Sequence, residues 1–229
     1  MTKNALIVGV GSGLSASLAR KLKAEGYALG LASRNIGKLD ALSGELQARL
    51  FPCDATEPAE VANLFAHFDS AIGAPDFVCF NAGFRVRGPV IELNPPDVLK
   101  TIVSTAYGGF LVGQEAAKRM LPRGSGAIFF TGASASMKGY AQSAPFAMGK
   151  FALRGLAQSM ARELQPRGIH VAHFNIDGGI RSAQRPVPPD RPDSLLDPDA
   201  IADTYVAVLK QHRSAWSTEV EVRPWVESF

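Results

Sequence analysis

The sequence predicts a single α/β domain built on one doubly wound parallel sheet with helices on both faces. Three observations carry this expectation. Short apolar runs alternate with helix-patterned segments from end to end, the order that produces a parallel sheet. A glycine-rich turn, Gly9-Val10-Gly11-Ser12-Gly13, separates the first apolar run from the first helical pattern. No linker divides the 229 residues, a length suited to one large domain.

The elements follow in order. Residues 5–8 are a short strand, and Leu14, Leu18 and Leu22 then recur at helical spacing. Gly26 caps that helix, and residues 27–32 read as the next strand. A second helix begins over residues 38–42, and a third strand covers 49–53. Residues 57–72 are helical, with Val61, Leu64, Phe65, Phe68 and Ile72 on one face. Residues 77–80 are apolar almost throughout, which suits a strand covered on both faces. Residues 97–120 are long enough for a six-turn helix interrupted at Gly108-Gly109. Two adjacent glycines there cost about 2 kcal/mol against alanine, and close packing of another backbone is the expected compensation. Residues 127–131 form a strand, 147–164 a helix closed by Pro166 and Gly168, and 169–176 a further strand. Asp197-Pro198-Asp199 opens a helix with an acid at the cap and proline in the first turn. Residues 219–222 end the fold as an alternating strand. The one irregular stretch, 178–197, carries Pro186, Pro188, Pro189 and Pro192 and has the length of a functional lid or a disordered segment.

Composition narrows the function classes. Apolar residues make up 46% and charged residues 20%, with 22 glycines, 15 prolines and two cysteines, which excludes disordered, collagen-like and disulfide-stapled chains. The net charge of +3, from 24 Lys and Arg against 21 Asp and Glu, is too weak to point to nucleic acid. No apolar run approaches the roughly 18 residues of a membrane span. Met1-Thr2-Lys3-Asn4 leads into residues 5–8 without the longer apolar core of a secretory signal. Cys53 and Cys79 lie in apolar, strand-like stretches and read as inert thiols. The expectation is a soluble cytoplasmic protein with no membrane or nucleic-acid partner, and no carboxylate–His constellation suggests a metal.

The chemistry begins at the first turn. Glycines there let the backbone approach a pyrophosphate while the next helix points its N–H groups at the charge. The fit to either glycine pattern is incomplete: in one reading position 14 is leucine, in the other position 15 is serine. A site for NAD usually places a carboxylate about 20 residues further on. Here that place holds Ser33-Arg34. An arginine pairs with a 2′-phosphate and stacks on adenine, so NADP(H) is the expected cofactor.

With these residues in view, the chain resembles the short-chain dehydrogenase/reductase family along nearly its whole length. The resemblance rests on Gly9 to Gly13-Leu14 after the first strand, Cys53-Asp54-Ala55 after the third and Asn81-Ala82-Gly83 after the fourth. Lys150 in Phe146-Ala147-Met148-Gly149-Lys150 and Asp177-Gly178-Gly179-Ile180 after the sixth strand complete it. The family normally has Pro-Gly where this chain has Asp177-Gly178. The resemblance implies a Rossmann-like NAD(P)-binding domain over residues 1–229. It also implies a homodimer or homotetramer joined through the helices 97–120 and 147–164. Asp54 would contact adenine, Asn81–Gly83 would steady the sheet beside the cofactor, and Lys150 would hold the nicotinamide ribose. The implied cofactor set is Gly9, Gly11, Ser12, Gly13, Leu14, Ser33, Arg34, Asp54, Ala55, Asn81, Ala82, Gly83, Lys150, Gly178 and Ile180. Independently, Ala106, Gly108 and Gly109 on one helix and Ala147, Ala152, Gly155 and Ala157 on the other permit close helix approach, between subunits or within one.

The catalytic positions depart from the family's pattern of Tyr-x-x-x-Lys, a serine thirteen residues before the tyrosine, and an asparagine on the preceding helix. Lys150 is in place, but the tyrosine position is Phe146, the serine position Ala133, and Thr105 stands where the asparagine would be. The position three residues upstream, used by the enoyl-reductase branch, is Ser143. In the family the tyrosine protonates the alkoxide that hydride transfer leaves, and the lysine lowers its pKa. With Phe146, only the ribose role of Lys150 survives. Ser134 and Tyr140 are the candidates to take over, Tyr140 otherwise lining the substrate pocket. Tyr107 reads as a packing residue, His170 and His173 as structural, and Asp177 as a turn cap or a group reaching the nicotinamide end. Arg85 and Arg87 read as part of a solvated loop, with reception of an anionic substrate as the alternative. The resulting expectation is an NADP(H)-dependent oxidoreductase of a small carbonyl or unsaturated compound with a degenerate catalytic site. The alternative is a catalytically silent NADP(H)-binding sensor or oligomer partner.

Overall fold

The computed structural model describes residues 2–226; Met1 and residues 227–229, the extreme ends of the expected 1–229 domain, lie outside the described residues. Among the described residues seven strands form one parallel sheet. They are β1 (Asn4–Val8), β2 (Ala28–Ser33), β3 (Arg49–Pro52), β4 (Phe77–Phe80), β5 (Gly126–Thr131), β6 (Ile169–Ile176) and β7 (Glu219–Val222), ordered β3-β2-β1-β4-β5-β6-β7. The helices are α1 (Leu14–Ala24), α2 (Asp40–Leu46), α3 (Pro58–Ala71), α4 (Pro95–Ile102), α5 (Gly108–Met120), α6 (Ala144–Leu164) and α7 (Pro198–Leu209).

Strand alternation decides which helices each face receives. Ala5 and Ile7 of β1 and Phe77 and Cys79 of β4 pack with the leucines of α1 and α2 and with Ile201 and Tyr205 of α7. Leu6, Val8, Val78 and Phe80 pack on the other face with Phe65 and Phe68 of α3, Val112 of α5 and Leu153 of α6. Both faces are covered, so β1 and β4 are apolar and almost wholly buried. Each such side chain contributes roughly 1.5–3 kcal/mol of burial. The chain runs from β1 outward to β3 and then returns to place β4 on the other side of β1. Ligands in open α/β sheets bind at such a switch, beyond the carboxyl ends of the strands.

Several expectations hold in detail. Gly26 follows α1 at φ +83°, and the Asp197 carboxylate accepts from the Asp199 N–H at 2.9 Å to cap α7. Cys53 and Cys79 are free and buried, and burial pushes both thiols up to about 12. No helix among the described residues is long and apolar enough to cross a membrane.

Others are corrected. Residues 97–120 are not one α-helix broken at glycine. Between α4 and α5 lies a π-helical turn, Val103–Tyr107, in which the Gly108 N–H bonds to the Val103 carbonyl five residues back. Gly108 and Gly109 sit beyond that turn, inside regular helix. A Cβ added at Gly108 would lie 2.9 Å from the Ala55 carbonyl oxygen, so the compensating close backbone approach is present, and it lies within the subunit. The long helix α6 begins at Ala144 rather than 147, because Pro145 fits a first turn where its missing N–H is not needed. The irregular stretch is folded back on itself, with Ile180 bridging Leu196 and Ser182 bridging Arg185.

Candidate functional site

The floor of the site is the contact between the β1–α1 turn and the β4 end. Gly9 adopts φ +88°, and a Cβ added there would lie 2.6 Å from the Ala82 Cα. Glycine alone allows both that conformation and that approach. Ser15 bolts the two turns together: its hydroxyl donates to the Gly9 carbonyl at 3.3 Å and accepts from the Asn81 amide at 2.7 Å. No side chain caps α1 and no acid lies in its first turn, so the positive end of the helix opens toward the cleft.

The cleft has two recesses sharing Gly9, Asn81, Ala82 and Gly83. The first is walled by Ser33 and Arg34 after β2 and by Asp54, Ala55 and Thr56 after β3. Burial opposes the Asp54 charge, but the Thr56 N–H and hydroxyl at 3.0 and 2.8 Å, with Arg34 and Lys100, outweigh it and hold the carboxyl below its ordinary range. Arg34 is exposed and has no ion pair among the described residues. The second recess, of about 780 Å³, runs past Gly11, Gly13 and Leu14 to Ser134, Tyr140, Lys150, Gly178 and Ile180. Every predicted site residue except Ser12 therefore lines the cleft. Ser12 is exposed on the turn and lines neither recess.

Lys150 is 7% exposed. Its ammonium donates to the Thr131 carbonyl at 2.7 Å, and burial lowers its pKa to about 8. The Thr131 hydroxyl is 2.9 Å from that of Tyr205 on α7. Phe146, one turn before Lys150, has its ring centroid 5.8 Å from the Lys150 Nζ and 4.7 Å from the Arg85 Cζ. Ser136 turns away to accept from the Ala133 N–H at 3.2 Å, while Ala133 and Ser134 face the recess. Two buried hydroxyls, Thr105 Oγ1 and Ser143 Oγ, have no protein partner among the described residues.

The remaining candidates separate. Tyr107 packs at the surface, exposed and stacked on Phe110 at 6.3 Å. Asp177 lines the second recess and pairs with Arg223 at 2.7 Å. His170 is structural, bonded to the Ser217 carbonyl at 2.8 Å and stacked on Trp216. His173 packs against Gly132, its buried Nε2 without a hydrogen-bond partner among the described residues, and burial followed by the nearby Lys150 charge lowers its pKa to about 4. Arg85 and Arg87 lie exposed on a loop, as expected, and that loop forms part of the cleft wall. Sequence reasoning did not single out Ser15 or Arg185. Ser15 was visible as the last position of the glycine pattern, whereas Arg185 lies in the patternless 178–197 stretch.

The sequence profile of the short chain dehydrogenases matches residues 3–183. The chain belongs to the short-chain dehydrogenase family. Members use nicotinamide cofactors. Over 97% of this chain, the crystal structure of a short-chain dehydrogenase from Rhodopseudomonas palustris superposes with a TM-score of 0.85 at 35% identity, covering 99% of that protein. An uncharacterised oxidoreductase of Staphylococcus aureus is 27% identical over 228 residues, 97% of each chain. A metagenomic short-chain oxidoreductase solved in complex with NADP is 25% identical, with a TM-score of 0.84 over 98% of each chain. The cleft described above thus lies in a short-chain dehydrogenase with the Rossmann-like sheet.

Proposed function

We propose that this short-chain dehydrogenase is an NADP(H)-dependent oxidoreductase of a small carbonyl or unsaturated compound, with proton-transfer machinery that departs from the family pattern. The observation that carries the reading is one continuous cleft, from Arg34 at one end to the buried Lys150 at the other. Its residues fit the dinucleotide. Arg34, with no acid at position 33 or 34, suits a 2′-phosphate, and Asp54, lining the same recess, suits the adenosine. The uncapped start of α1 suits the pyrophosphate, and the Lys150 ammonium, which lines the second recess, suits ribose hydroxyls. Bound NADP(H) supplies the hydride equivalent. Beside Lys150, Phe146 and Ala133 offer neither an acid nor a side-chain hydroxyl, so Ser134, Ser143 and Tyr140 are the groups left to face a substrate oxygen.

Arg34→Ala is expected to weaken NADPH binding roughly 10- to 100-fold, the worth of a lost charge-assisted contact, and to leave NADH affinity nearly unchanged. Calorimetric titration of parent and variant with both cofactors checks this. Equal affinity of the parent for the two cofactors would sink it. The missing hydroxyl of Phe146 favours a second reading, a silent NADP(H)-binding protein. NADPH consumption against a carbonyl panel, with Lys150→Ala as control, separates the two: turnover lost in the control supports the enzyme, and binding without turnover supports the sensor.

Residues 1–229 would act as one cofactor-binding unit in the cytoplasm, where free thiols such as Cys53 and Cys79 are the rule. Self-association as a homodimer or homotetramer has a surface to use. Leu99 of α4, Phe110 of α5 and Met148 and Phe151 of α6 are exposed, whereas Gly108 and Gly109 are occupied within the subunit. Light scattering at micromolar concentration is expected to give two or four times the chain mass of 24.3 kDa, and a monomeric mass refutes the assembly.

A further inference from the structure

We infer that the substrate is itself an anion, an oxo or unsaturated acid or a phosphate-bearing counterpart, whose charged group is received by Arg85 together with Arg87 and Arg185. The inference deepens the reading above and rests on the second recess being its substrate end.

The arginines come from two segments, about 100 residues apart, that meet only in the fold. Arg85 and Arg87 follow the Asn81-Ala82-Gly83 turn, and Arg185 lies in the stretch after β6; all three line the second recess. Arg181, which lines the same recess, pairs with Asp197 at 2.7 Å, as Arg119 does with Asp69 at 2.6 Å and Arg154 with Glu219 at 2.7 Å. Arg85, Arg87 and Arg185 make no ion pair and no side-chain hydrogen bond among the described residues. Asp177, the carboxylate lining the same recess, is taken by Arg223. A chain of net charge +3 thus brings three exposed guanidiniums, none in an ion pair among the described residues, to the recess that Lys150 also lines.

Two of them are held by specific contacts. Arg85 stacks on the Phe146 ring at 4.7 Å, a cation–π contact that fixes its planar fork. Phe146 thereby holds a cation at the mouth of the reaction centre. Arg185 is held by a tight turn, exchanging backbone bonds with Ser182 at 3.0 and 3.1 Å, and its guanidinium lies across Gly179, within 2.9 Å of where a Cβ would stand. Burial, then the Arg87 and Arg185 charges, pulls the Arg85 pKa down from its ordinary value, so the group is held close to like charges. A carboxylate or phosphate relieves that repulsion and matches the guanidinium fork with paired hydrogen bonds. The partnerless Ser143 hydroxyl and Ser134 line the same recess and are available to a neighbouring oxygen of the same molecule.

The test titrates the parent and Arg85→Gln/Arg185→Gln by calorimetry, with and without NADPH. The probes are benzoylformate against methyl benzoylformate, levulinate against methyl levulinate, and dihydroxyacetone phosphate against dihydroxyacetone. At least one anion is expected to bind ten-fold or more tightly than its neutral counterpart. That ratio is expected to fall toward one in the double variant and to shrink between 50 and 300 mM KCl, while NADPH affinity stays within about two-fold of the parent's. The first two pairs report a carboxylate and the third a phosphate. Equal binding of every acid and its neutral form, no saturable anion binding, or a ratio that survives the substitution overturns the inference. So does a double variant that loses NADPH instead, because the arginines then serve the cofactor. Failure of the parent to bind NADPH at all strikes the oxidoreductase reading separately, since the anion titrations are also run without it.

Discussion

Phe146→Tyr combined with Ala133→Ser is expected to raise carbonyl reduction by about 100-fold or more. A positioned general acid is typically worth about 10²–10⁴ in rate, and one oxyanion donor about 10²–10³. The two act on the same oxygen, so their gains do not multiply fully. The setting for a restored hydroxyl exists already. Lys150 is buried one turn beyond position 146, and burial has lowered its pKa to about 8. Tyrosine keeps the ring on which Arg85 stacks, so the arginine cluster survives the change. Position 133 is half-buried on the recess wall, where a serine hydroxyl faces the cleft. NADPH oxidation by parent, single and double variants on one carbonyl panel measures the effect. If the parent already turns over common carbonyls at rates ordinary for enzymes, the premise fails and the proton donor lies elsewhere, with Tyr140→Phe the next substitution to make.

Lys150→Met should stabilise the protein at pH 7 by about 1–2 kcal/mol while weakening NADPH binding ten-fold or more. The folded state lowers the lysine pKa from 10.5 to about 8, and each pKa unit is worth about 1.4 kcal/mol. Between those pH values the unfolded chain holds the proton and the folded chain does not, so stability rises with pH across the window. Below about pH 8 the full penalty of burying the charge applies. Methionine removes it, and the orphaned Thr131 carbonyl, which loses its 2.7 Å partner, offsets about 1–2 kcal/mol. Urea unfolding of both proteins at pH 7 and pH 10 is the measurement. The advantage of the variant should shrink at the higher pH, and a variant that is less stable by the same margin at both values disproves the account. A group that destabilises the fold yet sits in the cleft is the expected signature of a residue kept for binding.

The fold was legible where packing writes a local pattern. Phe77–Phe80 is apolar on both faces because both faces of β4 are covered, and Leu14, Leu18 and Leu22 mark the buried stripe of α1. The first recess was legible for a related reason: Gly9, Arg34, Asp54 and Asn81 each follow a strand, so topology alone brings them together. The far wall of the second recess was not. Arg85 and Arg185 approach only because the 178–197 stretch folds back over the cleft, and nothing periodic announces that path. The start of α6 was missed because Ser143-Ala144-Pro145 reads as loop until the proline is seen to occupy a first turn. His170 and His173 look alike in the sequence, yet only one finds a partner for its Nε2.

The π-helical turn at Val103–Tyr107 makes this rod intolerant of length change. One extra residue there offsets α5 from α4 by about 100°, the angle between successive residues of a helix. That offset lets a single continuous rod keep two unrelated appointments. Thr101 and Thr105 are fully buried alongside Gly149 of α6, and Gly108 and Gly109 close against Ala55 and Leu153. Removing one residue from a loop merely shortens it. Removing one here would heal the hydrogen-bond ladder and yet turn the surface of α5 away from its neighbours, carrying Phe110 toward the core and Gly108 toward water. Insertions and deletions in this segment are therefore frame changes in three dimensions, and a homologue lacking that one residue would have to rebuild everything that α5 touches.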